Sequence, residues 1–187
     1  MDSIHEFQQA LAGLSDRALA ALMCASAERL LPVYDAAGSG DPDVLREAVT
    51  KAWLWVDGGA LPDVEDCYGT LDEYAEAHYS DGDEILGGIC ASVLAALDAV
   101  RRHASAEACR DAVARGLLGA AEVARHVDAA LEDAGDEPVA EVEDDSWRAA
   151  ALALVHATSA EPWGQRLAAL RGAPPWVQTY LGGCMEA

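Results

Sequence analysis

Lysine is almost missing from this chain. Lys51 is the only one, and arginine supplies the rest of the positive charge. The 33 acidic residues outnumber the 12 basic ones and leave a net charge of −21. Phosphate backbones are held by patches of Lys and Arg, so this balance excludes nucleic acid as a direct ligand. It excludes an anionic membrane surface for the same reason. Aromatic residues make up 6% of the chain, and Phe7 is the only phenylalanine. The five cysteines (Cys24, Cys67, Cys90, Cys109 and Cys184) form no CxxC pair, which removes the zinc and dithiol frameworks built on that spacing. No apolar run reaches the roughly 20 residues that cross a bilayer. No phosphate-binding loop, dinucleotide fingerprint or nucleophile elbow is present. Strand-like alternation and internal repeats are missing too.

What the chain has in quantity is alanine. The apolar fraction is 52% with few β-branched or aromatic residues, and alanine enters a helix without losing side-chain entropy. At 187 residues the chain is long enough to bury a real core as one domain. The reading is all-α, a compact bundle of about seven or eight helices in a single domain over 1–187. The arginine-for-lysine bias is that of a GC-rich, bacterial genome. Met1–Ala10 is polar and amphipathic rather than basic and then apolar, so a cytoplasmic location with reduced thiols is expected.

The bundle is expected to form around a buried helix at 16–34. Leu19, Leu22, Met23, Ser26, Leu30 and Val33 recur at helical spacing, while Ala20, Cys24, Ala27 and Leu31 cover much of the opposite face. A helix apolar all round is a buried one. Pro32 lacks a backbone N–H and clashes four residues back, which predicts a kink or an end near Leu31.

Helix starts are marked along the chain. Ser3 with Glu6 has capping-box spacing, and Thr70 with Glu73 repeats it. Ser15, Asp41 (followed by Pro42), Ser105 and Ser159 are further N-cap candidates. Gly38-Ser39-Gly40 reads as a loop, and so does 57–67. Clear apolar stripes run from Val44 to Val56, from Ile85 to Val100 and from Ala108 to Val127. The acidic stretch 132–145 holds Gly135 and Pro138 and reads as a linker or loop within the domain.

The segment Met23-Cys24, then Glu28-Arg29-Leu30-Leu31-Pro32-Val33-Tyr34, resembles the second helix of the YjaG-type bacterial domain-of-unknown-function family. The likeness continues through the helix ending at Trp53, the turn at Ser80–Asp83, the helix from Ile85 to Leu97, and Trp147. The resemblance implies a compact all-α fold and no activity, because the family's own function is unknown.

No catalytic, cofactor-binding or metal-ligating set emerges, and no cofactor is expected. Glu122 and His126 stand four apart on one helical face, but a metal site needs three or four ligands. Asp81-Gly82-Asp83-Glu84 lacks EF-hand spacing. Asp144-Asp145 lacks the third carboxylate of an aspartate-rich metal motif. Cys184-Met185-Glu186-Ala187 has glutamate where a prenylation box needs an aliphatic residue.

The first functional expectation is therefore a non-enzymatic acidic interaction module for a basic protein, of which an immunity-type protein is one form. Its surface is expected around Asp63–Glu76 and Glu132–Asp145, with Glu141, Glu143, Asp144 and Asp145 as contacts and Trp147 as aromatic anchor. The alternative is a small helical enzyme or ligand-binding protein, with a pocket where Glu28, Arg29 and Tyr34 meet the helix at 84–102. A homodimeric module using the apolar tail is the third expectation.

Overall fold

The computed structural model describes residues 3–37, 40–157 and 162–185, with side chains as far as Gly182. The expected cap at Ser159, the loop residues Gly38 and Ser39, and the last two residues of the C-terminal tetrapeptide lie outside the described residues.

The all-α class is what the structure has, with no strand among the described residues. The central stretch is two helices. Helix α2 (Asp16–Glu28) is capped by Ser15 Oγ, which accepts from the Ala18 N–H. All ten residues from Ala18 to Ala27 are buried. The chain then turns at Arg29 and Leu30 and enters α3 (Leu31–Ala37), with Pro32 in its first turn. Proline is tolerated there because first-turn N–H groups have no partner within the helix. It stands in the first turn of a second helix, after the first has ended at Glu28.

Local chemistry sets most of the other boundaries. Helix α1 (Ile4–Ala10) starts at Ser3 with the full reciprocal capping box to Glu6. Asp41 and Pro42 begin α4 (Pro42–Val56). Asp83 Oδ1 accepts from the Leu86 N–H at the start of α6 (Glu84–Arg101), at 2.9 Å. Ser105 caps α7 (Ala106–Ala134), and Gly135 ends it with φ +87° in the left-handed region. Each such cap contributes about 1 kcal/mol.

Two expectations are corrected. Helix α5 (Glu65–Ser80) begins well before Thr70, so Thr70–Glu73 is not a capping box. Thr70 Oγ1 donates instead to the Asp66 carbonyl, 3.1 Å away and four residues back, the bond a threonine makes inside a helix. The loop before α5 is correspondingly shorter than 57–67. The acidic stretch 132–145 is mostly helix rather than linker. Helix α7 runs to Ala134 and α8 (Ala140–Ala157) starts at Ala140, which leaves only 135–139 as a connection. Asp128, on α7, closes it. Its two carboxylate oxygens accept from the N–H groups of Ala140 (2.7 Å) and Glu141 (2.9 Å), at the otherwise unsatisfied start of α8.

Helix α6 lies against α5, α7 and α2, and α2 also touches α4, α7 and α8. Helices α2 and α6 thus share the middle of the bundle. Close approach rests on small residues. A Cβ on Gly116 would stand 2.5 Å from both Ala95 Cβ and Met23 Sδ, where α7 crosses α6 and α2. The C-terminal part, with α9 (Trp163–Arg166), a 3₁₀ turn at Ala168–Leu170 and α10 (Pro175–Met185), wraps onto this body. It buries Trp163, Trp176 and Val177 there. Each large apolar side chain so buried contributes about 1.5–3 kcal/mol. No helix among the described residues is long and apolar enough to cross a membrane.

Candidate functional site

The three residues expected to share a pocket part company. They stand close together in one stretch, and the break between α2 and α3 sends them to three different places.

Glu28, at the end of α2, faces a cleft of about 370 Å³ lined by Leu31, Pro32, Asp35, Arg46, Trp53 and Arg171 among others. Both of its oxygens are occupied. Arg171 grips them with Nε (2.6 Å) and Nη2 (2.9 Å), and the Trp53 indole N–H donates to Oε2 at 2.9 Å. The Arg171 guanidinium also lies over the Trp53 ring, 4.6 Å from its centroid. The Glu28 carboxylate holds the Arg171 guanidinium above its ordinary range. On the other side of the cleft Arg46 pairs with Asp35 at 2.5 Å. The charged groups of this cleft therefore satisfy one another.

Arg29 is buried, 1% exposed, and bonds to Asp144 of α8. Asp144, equally buried, also accepts from Arg148, which reaches Asp145 as well. Arg29 lies on the Trp147 ring at 4.4 Å, and Arg148 faces Phe7 at 5.7 Å. Burial pushes the Asp144 carboxyl up from the usual carboxylate range, against the pull of Arg29 and Arg148. Burial likewise lowers Arg29, with Asp144 opposing. Arg29 Nε and Nη1 and Arg148 Nε have no acceptor among the described residues.

Tyr34 is buried on α3, its hydroxyl 3.2 Å from His78 Nε2 on α5, with the two rings edge to face at 5.6 Å. Gly40 (φ +75°) closes over it. A Cβ there would stand 2.4 Å from the hydroxyl, so only glycine fits. Burial first, and then the neighbouring Cys90 thiol, raises the Tyr34 hydroxyl above its ordinary value.

The five residues expected to meet a partner are mostly engaged inside the molecule. Asp144 is at the centre of the buried ion cluster, and Asp145, though 60% exposed, is paired with Arg148. Glu143 accepts from the Trp176 backbone N–H at 3.1 Å. Trp147 is half-buried, its ring on Arg29 and its N–H donating to the Leu170 carbonyl at 2.7 Å. Glu141 alone keeps an open carboxylate, with Arg125 3.8 Å away. The sequence reading missed Arg148, and the signal that could have found it is its spacing, four residues after Asp144 and three after Asp145 on one helix. Nothing local announces Arg171 or Arg29 as partners.

The other acidic stretch is different. Asp66, Asp72, Glu73 and Glu76 project from the exposed side of α5 and meet no cationic side chain among the described residues. Only Glu65, at the helix start, is held, by Arg101 at 3.0 Å. Tyr79 stands on the same side, 44% exposed. Its ring lies on α6 where Gly87 has no side chain; a Cβ there would be 2.8 Å from the ring. The tyrosine is thus braced from behind and open in front. Glu122 bonds to Arg125 at 2.5 Å. No group of three or more metal-ligating side chains occurs among the described residues.

Compared with family models, curated proteins and solved structures, the chain finds no match.

Proposed function

We propose that this protein is a non-enzymatic acidic interaction module that binds a basic protein partner through the outer face of α5. The observation that carries the reading is the row Asp66, Asp72, Glu73 and Glu76, which meets no counter-charge among the described residues. Carboxylates three and four residues apart on a helix repel one another by a few tenths of a kcal/mol per pair. A basic partner turns that repulsion into attraction and speeds association in a salt-dependent way. Tyr79 supplies the kind of rigid, half-exposed aromatic that anchors interfaces. An immunity-type protein that neutralises a basic toxin domain is one concrete form of this role. The Glu28 cleft supports an enzyme or ligand-binding reading less well, because its charged groups are already paired.

The test is affinity capture from native lysate at low and high salt, with the wild-type chain beside Asp66→Asn/Asp72→Asn/Glu73→Gln/Glu76→Gln. A basic protein held by the wild type at low salt, released at high salt and missed by the variant is the expected result. A partner held equally by both chains overturns the assignment to α5. A small molecule that co-purifies with the native protein and no protein partner would move the function to the Glu28 cleft.

A further inference from the structure

At the seam between α4 and α5, the chain's only lysine meets a cysteine. Lys51 Nζ donates to Cys67 Sγ at 3.2 Å and is itself held by Glu47 Oε1 at 2.8 Å. The set therefore comprises a nucleophilic sulfur, an ammonium in contact with it and a carboxylate that orients the ammonium. Glu47 first, and the Cys67 sulfur second, keep the Lys51 ammonium above its ordinary range. Cys67 is 7% exposed and Lys51 29%, so the sulfur lies just under the surface behind one flexible side chain.

The other described thiols are placed differently. Cys24, Cys90 and Cys109 are fully buried. Burial pushes Cys90 up to about 11 and Cys109 to about 12, and raises Cys24 further. None of the three has an ammonium within bonding distance. Cysteines react through the thiolate, and an adjacent cation pairs with the charge that develops on sulfur.

We propose that Cys67, with Lys51 and Glu47, is a modification site for small hydroperoxides. The Cys67 sulfur attacks one peroxide oxygen and the O–O bond breaks. The departing hydroxide, or the alkoxide of an organic hydroperoxide, takes up the thiol proton and leaves as water or the alcohol. Sulfur is oxidised by two electrons to the sulfenic acid, and the peroxide is reduced by the same two. Lys51 stabilises the sulfur before attack and the oxygen that leaves, and Glu47 keeps it in place.

The test treats the native 187-residue chain, in a Cys184→Ser background, with hydrogen peroxide and a dione that traps sulfenic acid, followed by peptide mass mapping. Cys67 should be labelled at least about tenfold ahead of Cys24, Cys90 and Cys109. Lys51→Gln should slow its labelling about tenfold, and Lys51→Arg should keep the rate within about threefold, since the cation is retained. Even labelling of the four thiols overturns the proposal, and that readout needs no substitution at the site. So does an unchanged or faster rate in Lys51→Gln with an unaltered helical spectrum.

Discussion

The two acidic stretches of this chain, 63–76 and 132–145, look alike in the sequence: dense in Asp and Glu and free of Lys and Arg. In the folded protein they have different fates. The end of the second is drawn inward, while its Glu132, Asp133, Asp136 and Glu137 stay exposed. Asp144 is buried between two arginines, Asp145 pairs with one of them, and Glu143 and Trp147 hold the C-terminal segment. The first keeps Asp66, Asp72, Glu73 and Glu76 on the outside of α5, and among the described residues only Glu65, held by Arg101, meets a cation. What separates them is where the few arginines land. In a chain with 33 acids and 12 bases, every arginine spent inside leaves a carboxylate elsewhere without a partner.

The sharpest test of this contrast is Asp144→Ala. It leaves the Arg29 and Arg148 guanidiniums buried without their shared carboxylate, and a broken buried pair costs about 3–5 kcal/mol. Urea unfolding should show the loss. Replacing Arg29, Asp144 and Arg148 together by apolar residues of similar volume should recover most of it, because no charge is then stranded. A loss under about 1 kcal/mol for Asp144→Ala would erase the distinction between the two stretches.

The core where α6 meets α3 can be probed by pH. Burial raises Cys90, next to Tyr34, from 9.0 to about 11. Its proton is held longer in the folded chain than in the unfolded one. Its contribution is therefore whole below pH 9 and is lost as pH rises from 9 toward 11. That loss is on the order of 2 kcal/mol. Urea midpoints taken across this window should fall, and Cys90→Ala should flatten the fall. An identical slope in both chains would show that Cys90 is not its source.

Glu28 stands between the two extremes, 28% exposed and gripped by Arg171. Arg171→Ala should cost about 1 kcal/mol, less than a fully buried pair because water already screens this one. Thermal unfolding would read it as a shift of roughly 2–4 °C. The smallest stability effect belongs to the fourfold neutralisation of α5. It should change stability by no more than about 0.5 kcal/mol, or raise it slightly by removing like-charge repulsion. A large destabilisation there would mean that α5's acids are structural after all.

Much of the fold was legible because its signals are local. Ser3, Ser15, Asp41 and Ser105 each stand where a helix starts, since capping needs only an oxygen within three residues of a free N–H. The buried run Ala18–Ala27 was legible because Ser26 is its only polar side chain. The signals that misled were also local ones. Thr70 with Glu73 has capping spacing, but the apolar side of α5 already packs at Cys67 and Leu71, and this carries the helix back to Glu65. Gly135 and Pro138 signal a break, and the acids around them suggested a longer one. Asp128, reaching over from α7, starts α8 as early as Ala140.

For the candidate site, residue types were readable and their company was not. Glu28, Arg29 and Tyr34 read as one constellation because they are near in sequence. A helix break between them gave each a different neighbour: Arg171, Asp144 and His78. By itself, the sequence determined the helical class, most helix starts, the apolar central segment and the excess of negative charge, since these follow from composition, periodicity and contacts a few residues long. The tertiary structure decided which acids are neutralised. Arg29 meets Asp144 across 115 residues, and Arg171 meets Glu28 across 143. Pairings at that separation are set by how whole helices pack, because no local spacing rule reaches so far along the chain.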